Sequence, residues 1–575
     1  MFIGGSIFDK SRWLGIARAV RNRLDPARRS HWTLQSAQIG ALRRDLGRQY
    51  ASGIRNRATS RCVLVVGLGD VSAITFQAPL LNAFRLAGYR PIVLSESSDT
   101  QLQKAYKQFG VDDFMFYEDR RTSGAHPELD RLAGEVRTAA DLKALRYKEV
   151  PVGKYALSTA MRRMRVGDVN VTAGLPDPFL REVLNQVVND TDAALRIISS
   201  VKPDALLCLD HGYTPDGPLF DAALAFGSAC FTWNGAHRNG RLMLKRYRPQ
   251  TSDQHPSSLS QSSWAALQSM PWDDTHWARL RDEIEGCYRR GEWYSEVGTQ
   301  VGRQLAARDD LVAKLHLRPG RKVAAIFPHI FWDASFFWGE DLFRNYEAWF
   351  VEALRAASKN DAVDWLIKIH PGNTVKDRRD GHYGEHSELT ALKHAIGELP
   401  ANMRLIPAHS EISTFALYSV IDYCLTVRGT VGIEAACFGI PVITAGTGRY
   451  DRLGFTIDPS STQEYLNLLG HLQDVAPLPK KQIDLARRYA YGVFISRPTE
   501  LKSFHFEYRK DATASLAVEI RSKNPFGSDI AAIADWISSG EEDFLNAAST
   551  MRNTTNDGVA AVNQLRPEPD RVEQE

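Results

Sequence analysis

A chain of 575 residues is too long for one hydrophobic core and implies two domains with further segments. Its 43% hydrophobic and 24% charged content is that of an ordinary globular protein, and no run of about eighteen apolar residues occurs, so no spanning helix is expected. The net charge of +3 speaks against a nucleic-acid-binding body, but the charge is uneven: up to Arg61 there are thirteen Lys and Arg against Asp9, Asp25 and Asp45, while the last fifty or so residues lean acidic.

Residues 1–57 read as a basic helical extension. Trp13, Ile16, Ala17, Val20 and Leu24 recur at helical spacing among Arg12, Arg18, Arg21 and Arg23, and Pro26 ends that helix. Such a helix either lies on an anionic membrane face or packs on the body with its arginines solvated. The opening Met1-Phe2-Ile3-Gly4-Gly5 has no basic region leading into an apolar run, so no cleaved secretory signal is expected. The six cysteines, none at C-x-x-C spacing, read as buried free thiols of a reducing cytosol.

Residues 58–315 form a first α/β domain. Val63–Val66 is a short apolar strand ended by Gly67-Leu68-Gly69-Asp70; a helix carrying Leu80, Leu81, Phe84 and Leu86 stops at Gly88; Pro91–Leu94 is the next strand. The Gly67-x-Gly69 turn lacks the third glycine of a dinucleotide fingerprint. Residues 120–175 are polar and show no clear period. A helix over Pro178–Val201, a strand over Ala205–Leu209 ending in Asp210-His211-Gly212, a helix near 218–226 and a strand over Ala229–Trp233 follow. The Ser-, Gln- and Pro-rich residues 250–275 read as a surface loop, and a helical stretch over 277–315 leads onward.

Residues 320–500 form the second α/β domain, with strands over Val323–Phe327, Trp365–Ile369, Met403–Ile406, Tyr423–Val427 and Pro441–Thr444. Helices lie between them near 341–358, 388–398, 412–420 and 430–438, and two more come after, near 462–472 and 480–495. This alternation predicts a parallel sheet with helices on both faces and a ligand beyond the carboxyl ends of the strands. Residues 501–575 read as a tail.

Those strand ends carry polar residues. Lys368 and His370 alternate onto one face of their strand, and Pro371 stops the ladder; either side chain can meet a phosphate or a base carbonyl. Arg428-Gly429-Thr430 turns a strand into a helix whose first N–H groups suit a phosphate, with Gly429 permitting close approach and Thr430 adding a hydroxyl. Glu434, one turn in, suits a pair of ribose hydroxyls. The plainer alternatives are an N-cap at Thr430 and a dipole-complementing acid at Glu434. Arg449, after Gly446-Thr447-Gly448, either neutralises phosphate or sits on the surface.

The run from Lys368-x-His370-Pro371 through Arg428-Gly429-Thr430-x-Gly432-x-Glu434 to Gly448-Arg449-Tyr450 and Gly454-Phe455-Thr456 resembles bacterial capsule and surface-polysaccharide biosynthesis proteins. These are glycosyltransferases of the GT-B fold that include Kdo-transferring capsule enzymes. Phe331-Trp332-Asp333-Ala334-Ser335, Asp341-Leu342-Phe343 and Tyr346-x-x-Trp349 share the resemblance; in the first domain it is thinner, at His211-Gly212-Tyr213-x-Pro215. The resemblance implies two Rossmann-type domains facing a cleft and a CMP- or UDP-linked sugar donor in the second, where His370 and Pro371 contact the nucleotide. It also implies a saccharide or lipid-linked saccharide acceptor at the first domain. The catalytic base is then expected from the first domain, where Asp210 and His211 end a strand; His211 is favoured because the resemblance falls on it. Many retaining relatives carry a glutamate eight positions before the one matched by Glu434; Thr426 stands there, which points to inversion. No Asp-x-Asp stands near these turns, so neither a metal nor a separate cofactor is expected. Two other readings fit the same residues. One is a nucleotide-sugar epimerase of the UDP-N-acetylglucosamine 2-epimerase type, and the other is a non-catalytic scaffold of a polysaccharide assembly complex. A cytoplasmic location is expected, peripheral at the inner membrane if residues 1–57 bind an anionic surface, with no nucleic-acid partner.

Overall fold

The computed structural model describes residues 26–53, 59–294, 303, 305–333, 335–381, 384–508 and 516–546. The amphipathic segment over Trp13–Leu24 lies outside these residues. Pro26 begins the helix Pro26–Gly53, where a fixed φ and a missing N–H suit a first helical turn. Leu42 and Leu46 of this helix are buried in the first domain's core. Among the described residues no helix is long and apolar enough to cross a membrane.

Two separate sheets carry the fold, one mixed and one all parallel. In the first, β1 (Cys62–Val66), β2 (Arg90–Ser95), β3 (Phe114–Phe116), β4 (Ala205–Cys208) and β5 (Ala229–Gly235) run parallel. An antiparallel strand, β6 (Arg241–Tyr247), continues that sheet, and β12 (Thr499–Glu500) ends it, in the order β12-β6-β5-β4-β1-β2-β3. In the second, β7 (Lys322–Ile326), β8 (Val363–Lys368), β9 (Met403–Ile406), β10 (Tyr423–Thr426) and β11 (Val442–Thr444) are all parallel, in the order β11-β10-β7-β8-β9. Both orders reverse beside the first strand, between β1 and β4 and between β7 and β10. Each domain therefore has the Rossmann-type switch point at which ligands bind. The strands are short and buried on both sides, which is why they read as unbroken apolar runs.

Caps set the helix starts. The Asp70 carboxylate accepts from the N–H groups of Ser72 at 2.8 Å and Ala73 at 3.1 Å, opening the helix Val71–Leu86. Asp177 does the same for Pro178–Val201 through Leu180 N–H at 2.9 Å. The polar residues 120–175 hold three helices, Leu129–Glu135, Ala139–Ala144 and Val152–Met164, of which the first two are shorter than two full turns and leave little periodicity to read. Residues 250–275 contain the helix Gln261–Ser269, and a serine of that stretch, Ser260, is its cap.

The tail does not stand apart. β12 (Thr499–Glu500) adds an antiparallel edge to β6, β13 (Phe504–Tyr508) and β14 (Leu516–Ile520) pair as a hairpin, and the helix Ser528–Ser539 packs Ile530, Ile533 and Trp536 into the first domain's core. A fully buried charge cluster fastens this return: Asp543 lies 3.3 Å from the Lys245 ammonium and 3.5 Å from the Arg497 guanidinium.

The two domains meet at their carboxyl edges, as a GT-B-like arrangement requires. The loop after β7 reaches across: Trp332, Phe336, Phe337 and Trp338 pack into a cluster with Tyr155, Leu157 and Val187 of first-domain helices. Phe337 stacks on Tyr155 with centroids 5.3 Å apart, and Arg165 of the first domain bonds Asp377 of the second at 2.8 Å.

Candidate functional site

The switch point of the second sheet opens into a cavity of about 330 Å³. The residue after β8, Ile369, is fully buried, so Lys368 and His370 on either side of it face the cavity. Pro371, Arg428, Gly429, Thr430, Glu434 and Arg449 line it as well. The residues expected to hold the nucleotide are thus brought together, but they do different things.

Lys368 is 3% exposed, and its ammonium has no hydrogen bond or ion pair among the described residues. Burial, reinforced by the nearby Arg303 guanidinium, pushes its pKa down to about 7. An unpaired buried cation facing a cavity is a ready partner for an anion. Arg449 supplies a second cation. Its guanidinium donates to the Thr430 hydroxyl at 2.9 Å, to the Ser257 hydroxyl at 2.8 Å and to the Arg428 carbonyl at 3.1 Å, while its buried Nε has no partner.

The helix Thr430–Cys437 begins with Gly429 as its N-cap and without a side-chain cap, so the plain capping role for Thr430 does not apply. A Cβ on Gly429 would lie 2.8 Å from the Thr426 hydroxyl, so only glycine fits this turn unmoved. Arg428 is used structurally: it donates to Asp341 at 2.5 Å, to the Tyr346 hydroxyl at 2.9 Å and to the Thr447 carbonyl at 2.8 Å, holding three loops of the second domain together. Glu434 is likewise occupied. Its carboxylate, 2% exposed, accepts from the hydroxyls of Tyr288 at 2.6 Å and Tyr418 at 3.1 Å, and burial raises its pKa to about 7. Ribose hydroxyls would have to displace those tyrosines.

Asp210 and His211 are not among the residues lining this cavity. The His211 ring is 3% exposed, stacked on Phe220 at 3.9 Å and edge-on to Trp338 at 5.0 Å, with a buried Nε2 that has no partner. Burial lowers its pKa to about 3, which makes it a poor proton acceptor at neutral pH. Asp210 accepts from Gly212 N–H at 2.9 Å, and burial raises its carboxyl. The carboxylate that does face both domains is Asp333, on the aromatic loop after β7. It pairs with Lys376 of its own domain and receives the Tyr213 hydroxyl of the first domain at 3.4 Å. Burial alone would raise its pKa, but Lys376 outweighs this and keeps the group ionised. Asp333 lies within the resembling sequence, where no local pattern marks it as a base; His255 and Lys376, which also line the cavity, stand in no recognisable motif. A His-Ile pair after a strand was the one hint for His329.

The first sheet's switch point has a smaller cavity, 150 Å³, lined by Gly67, Gly69, Glu96, Asp99, Tyr117 and Asp216 among others, with no Lys, Arg or His. Burial and neighbouring carboxylates push Asp216 up to about 7. That acidic lining disfavours phosphate. Among the described residues, one cluster has the ligand types and closeness to share an ion: His237, Glu283 and Cys287, within 4.8 Å of one another. There Arg238 already meets Glu283 at 3.3 Å, and burial raises the Cys287 thiol to about 12.

No family model and no curated protein matches the chain. Solved structures do. The β-Kdo 2,4 transferase KpsC of Thermosulfurimonas dismutans is 12% identical over 50% of this chain and 79% of its own, with a TM-score of 0.31. The UDP-GlcNAc 2-epimerase of Neisseria meningitidis, bound to UDP-GlcNAc, is 14% identical over 75% of this chain and 96% of its own, with a TM-score of 0.26. The glycosyltransferase VinC in complex with dTDP is 12% identical over 75% and 94%, with a TM-score of 0.23. At these TM-scores the similarities carry no weight beside the chain's own topology, which is that of two Rossmann-type domains facing a cleft.

Proposed function

We propose that the chain is a nucleotide-sugar-dependent glycosyltransferase of bacterial capsule or surface-polysaccharide assembly, inverting and metal-independent, with a CMP- or UDP-linked donor. One observation carries the reading: at the switch point of the second sheet an unpaired buried ammonium, Lys368, and the uncapped helix end at Thr430 face the same cavity as an ionised carboxylate, Asp333, which touches the other domain.

In this reading the donor's phosphates sit between Lys368, Arg449 and the Thr430 helix end, and the acceptor saccharide approaches from the Tyr213 side. Asp333, in place of His211, takes the acceptor hydroxyl's proton as that oxygen attacks the anomeric carbon. The nucleotide phosphate departs with the bonding electrons, its charge met by the cations and the helix dipole without a metal. The basic extension, residues 1–57, gives a cytoplasmic enzyme its contact with the anionic inner membrane.

A thermal-shift panel of CMP, UDP, GDP, dTDP and their sugars tests donor binding, since a ligand of the native state raises the midpoint. Product analysis with and without saccharide acceptors then decides the chemistry. Acceptor-dependent transfer supports the proposal, an epimerised sugar formed without acceptor replaces it with the epimerase, and binding without turnover replaces it with the scaffold.

A further inference from the structure

Three histidines line the donor cavity, and in each the main chain occupies one ring nitrogen. The N–H of Arg428 donates to His329 Nε2 at 3.3 Å, that of Gly372 to His370 Nδ1 at 3.1 Å, and that of Ser257 to His255 Nδ1 at 3.1 Å. A nitrogen that accepts an N–H bond carries no proton, so in the neutral ring the proton lies on the other nitrogen. That leaves Nδ1–H on His329 and Nε2–H on His255 and His370, none with a bonding partner among the described residues.

The rings are also held in orientation. His329 stacks on Tyr346 with centroids 4.6 Å apart, and His255 lies across Trp338 at 5.5 Å. The Ser257 hydroxyl accepts from Arg449 at 2.8 Å and stands 2.9 Å from His255 Nδ1, so its own proton goes to that nitrogen and fixes the same tautomer again. Burial, with Arg428, Arg449 and Lys376 close by, keeps all three rings below the ordinary imidazole range, His370 at about 4. A cavity already holding Arg449 and Lys368 gains hydrogen bonds from neutral donors without gaining like charge.

We propose that His255 and His329 join His370, whose nucleotide contact the resemblance already implies, in a cradle of neutral N–H donors for the oxygens of the ligand's phosphate groups, His329 through Nδ1 and the other two through Nε2. The proposal deepens the nucleotide-sugar reading and rests on it. A phosphate suits the arrangement because its oxygens offer enough lone pairs to accept from several donors lining one cavity.

The test exploits amide geometry: asparagine places its side-chain nitrogen near imidazole Nδ1, glutamine near Nε2. Calorimetry with CMP, UDP and pyrophosphate on the full chain should show His329→Asn, His255→Gln and His370→Gln recovering most of the affinity. The opposite members, His329→Gln, His255→Asn and His370→Asn, should each lose about 3- to 10-fold, the worth of one neutral hydrogen bond. Nitrogen-15 NMR of histidine-labelled wild-type protein reads the tautomers without any variant, and should show three neutral rings at pH 7 whose protonated nitrogens shift on adding pyrophosphate. A cationic ring, the opposite tautomers, or Asn and Gln variants of equal affinity would overturn the cradle while leaving nucleotide binding intact. A wild-type chain that binds none of the three probes overturns both readings.

Discussion

Replacing Lys368 with methionine should make the protein more stable and worse at holding its ligand. The ammonium is 3% exposed and unpaired, and its pKa of about 7 lies well under the ordinary 10.5. At about 1.4 kcal/mol per pH unit, the gap sets an upper bound of about 5 kcal/mol on what the buried charge costs the folded state. The sign follows from proton counts. Below pH 7 the amine is charged in both states and the folded chain bears the whole cost; between 7 and 10.5 the unfolded chain holds more protons, so wild-type stability rises with pH; above 10.5 the cost is gone. Urea unfolding of Lys368→Met against wild type should therefore show a gain of a few kcal/mol, order of magnitude, at pH 6 that shrinks steadily towards pH 10. In calorimetry the variant should bind its nucleotide about 10- to 150-fold more weakly, the loss of a charged hydrogen bond. Wild type near pH 7 should take up about half a proton on binding, seen by repeating the titration in buffers of different ionisation enthalpy, because an adjacent phosphate raises a half-titrated amine. A variant less stable than wild type at pH 6 would mean that the ammonium is satisfied in the native state, and the argument for an anion beside it would fail.

The remaining expectations concern other parts of the molecule. Asp333→Asn should cut turnover about 10²- to 10⁴-fold at saturating donor, while Asp210→Asn and His211→Ala, which sit outside the cavity, cost far less; equal losses in all three would return the base to the first domain. Asp543→Ala should lose about 3–5 kcal/mol in a urea melt, because it leaves the buried Lys245 and Arg497 uncompensated; a loss below 1 kcal/mol would show the C-terminal return to be loosely held. Removing residues 1–57 should abolish co-sedimentation with anionic liposomes and also lower the melting temperature, since Leu42 and Leu46 belong to the core; equal sedimentation of the truncated chain would refute the membrane contact. Gly217→Ala should destabilise by about 1–3 kcal/mol or fail to fold, its Cβ falling 2.0 Å from the Tyr155 ring; an unchanged melt would contradict that packing.

Strands and strand ends were legible in the sequence because they are local. A parallel strand buried on both faces, such as Met403–Ile406 or Tyr423–Thr426, must be apolar throughout, and a helix end beside it needs glycine, so the run Arg428-Gly429-Thr430 announces a ligand-facing turn without any knowledge of its neighbours. The alternation of Lys368 and His370 about a buried Ile369 follows from the two-residue period alone. What each side chain then does depends on partners far along the chain, which no local pattern encodes. Arg428 has the look of a phosphate ligand until Asp341 and Tyr346, more than eighty residues away, take up its guanidinium. Glu434 has the look of a ribose ligand until Tyr288, on a helix that precedes the second sheet, claims it. His329 and Asp333 share the loop after β7 while His255 follows β6 in the first domain, and only the closing of the two domains puts all three around one cavity. The tail was illegible for the same reason: its short strands and its helix have no core of their own, and they become structure only by completing the sheet and covering the helices of a domain that began some four hundred residues earlier.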